Sequence, residues 1–240
     1  MVDERSTAEI YDRLWAEALS YFEKNQVAVD PYLRDKAADR RLGLSVIGRP
    51  APGVCRRFTA FLDQLKQVAP QQYFYQASEF HLTILSLFTA TVEFTAHWAN
   101  RDAYRAAVDQ ALHNGRSFAV RYEGVTASKN AVMVQGFAQG SGLEQLRAEL
   151  RKALRAFGLD GGLDQRYAIE TAHSTVLRFS SRPKDMPQLL ALLKAHRAAD
   201  FGVTTFDKLQ LVKNDWYMSA GKVELLAEHP LVEADDRTAP

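Results

Sequence analysis

Two apolar runs in this 240-residue chain carry the same polar interruption. Phe80-His81-Leu82-Thr83-Ile84-Leu85 and Ala172-His173-Ser174-Thr175-Val176-Leu177 each place a histidine two residues before a threonine. A β-strand turns successive side chains to opposite faces, so each His and its Thr project together while apolar neighbours enter a core. Of the six histidines only His81 and His173 have this threonine; His97, His113, His196 and His229 do not. Two such strands brought face to face would set two imidazoles and two hydroxyls around one cleft. Paired imidazoles can divide general base and general acid between them, and hydroxyls can donate hydrogen bonds to a phosphate oxygen. The plainer reading makes both histidines half-buried and satisfied and both threonines ordinary strand formers. The repetition in two strand-like settings favours the shared site.

The surrounding pattern alternates helices and strands. Ser6-Thr7-Ala8-Glu9 reads as a capping box opening a helix with Ile10, Leu14, Ala18 and Phe22 on one stripe and Tyr11 and Trp15 beside it, ending near Asn25. Residues 26–40 read as a loop, 42–48 as a strand, 54–68 as a helix, 73–75 as a short strand and 80–88 as the first motif strand. A helix follows over 98–113, then two strands, 117–125 and 131–137, joined by a turn at Lys129-Asn130. The outline then recurs. Ser141 opens a helix with Leu143, Leu146, Leu150 and Leu154, residues 166–180 hold the second motif strand, and Asp185 and Pro187 start another helix. Segments 203–212 and 222–226 close the series as strands. Short turns between several strands predict an α+β fold with antiparallel sheets rather than a doubly wound parallel one.

Composition narrows the classes of function. A formal net charge of +1 gives no global basic field of the kind that coats nucleic acid. Cys55 is the only cysteine, which excludes an intramolecular disulfide and a cysteine-based zinc cluster; it reads as a small apolar residue at a helix start. The opening Met-Val-Asp-Glu-Arg lacks the apolar core of a signal peptide, and no run approaches the ~18 apolar residues of a membrane span. These features predict a cytoplasmic protein with no membrane association and no obligate protein partner.

The paired motifs His81-Leu82-Thr83-Ile84 and His173-Ser174-Thr175-Val176 resemble those of the two-histidine (2H) phosphoesterase superfamily, which includes RNA 2′,3′-cyclic phosphodiesterases and 2′–5′ RNA ligase-like proteins. Leu177-Arg178 continues the second motif as in many members, and Phe206 to Asn214 resembles the family's final strand pair. Ala172 stands where members often carry proline. The resemblance spans residues 41–231, leaving 1–40 as a helical N-terminal extension and 232–240 as a tail. It implies two pseudo-symmetric lobes of antiparallel sheet with flanking helices around a central cleft, each lobe supplying one motif strand.

The implied activity is hydrolysis of a 2′,3′-cyclic phosphate, in a cyclic nucleotide or at an RNA end, with no metal or cofactor. His81 and His173 would be catalytic, His173 activating water and His81 protonating the leaving oxygen by analogy with the family, and Thr83 and Thr175 would hold the nonbridging oxygens. No Asp or Glu beside either motif completes an obvious zinc or magnesium site. An ordinary imidazole pKa of about 6.5 would keep both protonation states accessible near neutrality. Arg178 is a further candidate for the phosphate, yet on an undistorted strand it would face away from His173, so contact requires a twist or bulge. Tyr73, Tyr75 and Tyr167 are candidates for stacking on a base. The alternative within the same fold is a module that binds a nucleotide or RNA end without hydrolysing it.

Overall fold

A computed structural model of the protein describes residues 4–163 and 169–233. Six α-helices and nine β-strands are ordered along these residues as α1 (Glu4–Phe22), β1 (Leu42–Gly48), α2 (Pro52–Val68), β2 (Tyr73–Phe74), β3 (Leu82–Thr91), α3 (Phe94–Trp98), α4 (Arg101–Leu112), β4 (Phe118–Ser128), β5 (Ala131–Gln139), α5 (Gly142–Ala156), β6 (Ser174–Arg178), α6 (Met186–Ala195), β7 (Asp200–Phe206), β8 (Lys208–Asp215) and β9 (Glu224–Pro230). The strands form two antiparallel sheets, β3-β1-β8-β9 and β2-β6-β5-β4-β7. Each sheet holds one motif strand, β3 in the first and β6 in the second. The α+β antiparallel class expected from the sequence is the one observed.

The sheets are not the two halves of the sequence. β2 leaves the first half to pair with β6, and β8 and β9 return from the second half to pair beside β1. The segment expected as one strand over 203–212 is two strands, and the chain passes from one sheet to the other at Asp207 between them. The Asp207 carbonyl, outside both ladders, accepts from the Leu231 amide at 2.7 Å. The alternation changes phase here, Phe206 and Leu209 standing three apart across the exposed Asp207-Lys208, but a phase change does not say which sheet each strand joins.

Local rules account for most elements. Pro52 sits in the first turn of α2, where its missing N–H is harmless, and Val54, Phe58, Phe61, Leu62 and Leu65 form its buried face. Phe58 meets Phe80, Tyr122 and Phe201 edge-on, with ring centroids 5.3–5.5 Å apart. Each such buried ring contributes on the order of 2–3 kcal/mol of burial. Because Phe80 is in this cluster, the residue before His81 is anchored in the core. Asp185 caps α6 through the Gln188 amide at 2.9 Å, as its position predicts. Two sequence expectations shift. Ser6 and Thr7 lie inside α1 rather than capping it, and the buried face of α1 is Thr7, Tyr11, Ala18 and Phe22, so Tyr11 replaces Ile10 on it. α1 packs on β4 and β5. Among the described residues no helix is long and apolar enough to cross a membrane.

One side chain ties the two motif regions together. Arg147 of α5 is fully buried. Its Nε donates to the Ile84 carbonyl at 3.0 Å, its Nη2 to the carbonyls of Thr83 at 3.3 Å and Thr171 at 2.8 Å, and its Nη1 to Glu144 Oε1 at 2.9 Å. Replacing Arg147 with methionine keeps the volume but leaves three backbone carbonyls in the interior without these donors. We expect R147M to lower stability by about 3–5 kcal/mol in urea unfolding, with R147K intermediate because an ammonium cannot reproduce the fork. An R147M protein within about 1 kcal/mol of the wild type would show that the fork is not a structural tie.

Candidate active site

The motif strands are bulged, and the bulges set the site. In β3, Ile47 pairs with Thr83, Val46 with Leu85, Ser45 with Ser86 and Leu44 with Phe88, so Ile84 and Leu87 have no counterpart. In β6, Met133 pairs with Thr175 and Val132 with Leu177, so Val176 is the extra residue. Each bulge reverses the alternation beyond it. Thr83, Ser86 and Thr89 therefore line one surface at three-residue spacing, as do Thr175 and Arg178. The distortion that Arg178 required is present. The carbonyls of two bulged residues find partners elsewhere, Ile84 with Arg147 Nε and Val176 with the Tyr75 amide, both at 3.0 Å.

His81 and His173 line the same cleft together with Thr83 and Thr175, around about 170 Å³ of open space. Both histidines lie one residue before their strand, and each is held through Nδ1. His81 Nδ1 donates to the Glu79 carbonyl at 2.7 Å. A carbonyl only accepts, so the Nδ1 position carries the proton and Nε2 is the nitrogen left for chemistry. His173 Nδ1 meets Thr171 Oγ1 at 2.8 Å. The Glu79 carboxylate accepts from the Tyr73 hydroxyl and from the amides of Gln76 and Ala220, tying the turn before His81 to the loop after β8.

No Asp or Glu is among the described residues that line the cleft. Among the described residues, no three His, Cys, Asp or Glu side chains are grouped to hold a metal ion. Burial pushes His81 down to about 4, the cations Arg49 and Arg178 and the facing His173 pressing the same way against the Glu79 carbonyl bond. Burial likewise pushes His173 down to about 4, reinforced by Arg147 and Arg178. The expectation of ordinary imidazoles near 6.5 is thus corrected: the cleft keeps both rings neutral at pH 7 because it is desolvated and cationic.

The other sequence candidates separate. Arg178 lines the cleft, its Nε donating to the Tyr75 hydroxyl at 2.9 Å and its guanidinium lying 5.5 Å from the Trp216 ring centre. Tyr75 also lines the cleft but is only 3% exposed, so it aims Arg178 rather than offering a stacking face. Tyr73 is not a lining residue; its hydroxyl takes Lys36 Nζ at 2.9 Å and reaches Glu79. Tyr167 lies outside the described residues. Cys55 is half-buried in α2, its thiol donating to the Pro50 carbonyl at 3.3 Å.

Several residues escaped the sequence reading. Ser86 stands three after Thr83 as Arg178 stands three after Thr175, a correspondence that only bulged strands make visible. Ser45, Asn214 and Trp216 reach the cleft from β1 and from the end of β8. Arg147 did leave a signal, since it falls on the apolar stripe of α5 between Leu146 and Leu150.

Comparison with known proteins then places the chain. A model of the 2′-5′ RNA ligase superfamily matches residues 53–216. The chain belongs to this superfamily. The fold is also that of solved members of the 2H group. Escherichia coli LigT in apo form is similar with a TM-score of 0.54 and 13% identity, the match covering 81% of this chain and 99% of LigT. The Thermus thermophilus protein TT0787 is similar with a TM-score of 0.54 and 15% identity, over 78% of this chain and 97% of that one. E. coli LigT complexed with 3′-AMP gives 0.52 and 15%, over 80% and 98%. At these identities the likeness shows the fold. A search of curated proteins by sequence returned no match. The family resemblance drawn from the His-x-Thr pair is therefore borne out, and α1 lies before the stretch the superfamily model matches.

The lowered imidazole pKa values carry a sign for stability. Between about 6.5, the unfolded value, and about 4, the folded chain binds fewer protons than the unfolded one, so stability falls as pH drops through that window. We expect imidazole NMR titrations to keep both rings neutral to near pH 4, and the urea midpoint to decline from about pH 6.5 downward, less steeply in an H81Q/H173Q variant. Rings titrating near pH 6.5 in the ligand-free protein would contradict the burial argument.

Proposed function

We propose that the protein is a cyclic phosphodiesterase that opens a 2′,3′-cyclic phosphate, on a nucleotide or at an RNA end, by acid–base catalysis between His81 and His173. The observation that carries this reading is the shared cleft itself: two imidazoles, two threonine hydroxyls and one arginine, with no carboxylate among the described lining residues. Such a lining favours a monoanionic phosphodiester, since nothing acidic repels it and Arg178 attracts it. The superfamily match and the fold support a phosphoesterase or ligase type of enzyme over an unrelated binding protein.

In the proposed reaction His173 takes a proton from water through Nε2 as the water oxygen bonds to phosphorus. The bond from phosphorus to one ribose oxygen breaks, and His81, protonated at Nε2, gives that oxygen its proton. The products are a phosphomonoester and a free hydroxyl, and exchange with solvent resets the two rings. Thr83 and Thr175 donate to the nonbridging oxygens, where negative charge grows. The desolvated, cationic cleft by itself disfavours the imidazolium that His81 needs, and the substrate's own charge supplies the remedy: an anion beside the rings raises their pKa values, so binding and protonation reinforce each other. Trp216, rather than Tyr73, joins Tyr75 as an aromatic side chain lining the cleft beside Arg178.

The test is a product-resolved assay over 2′,3′-cyclic nucleotides, cyclic-phosphate-ended RNA and ADP-ribose cyclic phosphate. We expect turnover of at least one, a bell-shaped dependence of kcat/KM on pH, and a fall in kcat of about 10²–10⁴ in H81A or H173A with product affinity retained. Inorganic phosphate should raise both imidazole pKa values. A wild-type protein that binds nucleotides yet turns over none of these substrates would be the binding module instead.

A further inference from the structure

His81 is held by a carbonyl, and the residue that owns this carbonyl is itself held by its side chain. The Glu79 carbonyl takes His81 Nδ1 at 2.7 Å, and Glu79 as a whole is only 5% exposed. A buried carboxylate is costly unless donors surround it. Here Oε2 accepts from the Gln76 amide at 3.0 Å and from the Tyr73 hydroxyl at 3.1 Å, and Oε1 accepts from the Ala220 amide at 3.3 Å. None of these three donors carries a charge.

The charge stands one step further out. Lys36 Nζ donates to the Tyr73 hydroxyl at 2.9 Å. It lies 4.4 Å from the Tyr73 ring centre and 5.2 Å from that of Tyr217. The Lys36 main chain is tied down as well, since Lys222 Nζ donates to the carbonyls of Lys36 at 2.9 Å and Asp39 at 3.4 Å. Arg49 steadies the turn before His81 independently, its Nη1 donating to the carbonyls of Ser78 at 3.0 Å and Phe80 at 3.1 Å.

The proton directions are forced. A carboxylate only accepts, so the Tyr73 proton goes to Glu79. An ammonium only donates, so Lys36 takes a lone pair of the same hydroxyl. We propose that Lys36, Tyr73 and Glu79 form a positioning brace for His81, through which a residue lying before the matched superfamily stretch aims the ring that the proposed reaction uses as its acid. The brace stands on the hydrogen bonds alone; its catalytic consequence rests on the proposed function. An acid has to present its proton in one direction. The carbonyl on Nδ1 aims Nε2, and it favours the imidazolium against burial and the neighbouring cations. His173 is held separately, by Thr171, and so serves as an internal control.

E79Q is the sharpest perturbation. Its amide keeps the shape of the carboxylate but replaces one oxygen with NH2, and either orientation sets that NH2 against a backbone N–H, of Gln76 or of Ala220. The test is the ring ¹⁵N spectrum, with the exchange rate of the His81 Nδ1–H proton, of the full-length protein at about pH 7, without substrate, for wild type, K36M, K36R, Y73F and E79Q. We expect a slowly exchanging Nδ1–H on His81 in the wild type. K36M and Y73F should speed its exchange about tenfold or more, E79Q should go further to a mixture of tautomers, and K36R should fall between K36M and wild type. The His173 signals should stay in place throughout. On whichever cyclic phosphate proves to be turned over, E79Q should lower kcat about 10- to 100-fold, the scale of a misplaced catalytic group, and K36M and Y73F less, with KM little changed. Unmoved His173 signals show that a variant is folded, and K36M and Y73F decide the matter should E79Q not fold. A K36M or Y73F protein whose His81 signals match the wild type overturns the proposal, as does one whose His81 signals move with no loss of kcat. The proposed function fails separately, by absence of turnover, and leaves the spectra standing.

Discussion

The architecture depends on one guanidinium placed where ordinary sheet pairing stops. Arg147 sits in the apolar face of α5 and gives its donors to carbonyls from β3 and from the turn entering β6. Burying such a charge is costly unless its N–H groups find acceptors. It finds them because the motif regions are irregular: Ile84 is a bulge residue, and Thr171 lies before its strand begins. The irregularity and the arginine therefore satisfy each other, and two sheets that share no strand pairing acquire a fixed separation at the site.

The bulges also explain how two ordinary strands become one cluster. Regular alternation would give each strand a histidine and a threonine facing the cleft and then a leucine, Leu85 or Leu177, at the next position. One extra residue ahead of that leucine, Ile84 in β3 and Val176 in β6, moves it into the core and brings Ser86 and Arg178 round instead. The two halves thus present related constellations with one difference, a hydroxyl on β3 and a cation on β6. Tyr75 is shared by both effects, its amide bonding the Val176 carbonyl and its hydroxyl holding Arg178.

Electrostatics follow from the same packing. The rings of His81 and His173 are desolvated by the core that anchors Phe80 and Ala172 beside them. With Arg49, Arg147 and Arg178 near, neither ring takes up a second proton at neutral pH. An anionic ligand is the natural complement, because it relieves the mutual repulsion of these cations and lets an imidazolium form. In the proposed reaction, binding and acid–base readiness are linked through one charge.

Short-range chemistry is what the sequence determined unaided. The His81–Thr83 and His173–Thr175 pairs, the faces of α2 and α5, the hairpin of β4 and β5 and the Asp185 cap all depend on neighbours a few residues away, and each is legible from spacing. The position of Arg178, the lining roles of Ser86 and Trp216, the exchange of sheets at Asp207 and the burial of the Tyr11 hydroxyl against Gly136 were decided only in three dimensions. A bulge depends on how a partner strand and a buried donor accommodate an extra residue, and an imidazole pKa depends on everything packed around the ring. Neither quantity is carried by the residues in sequence next to it.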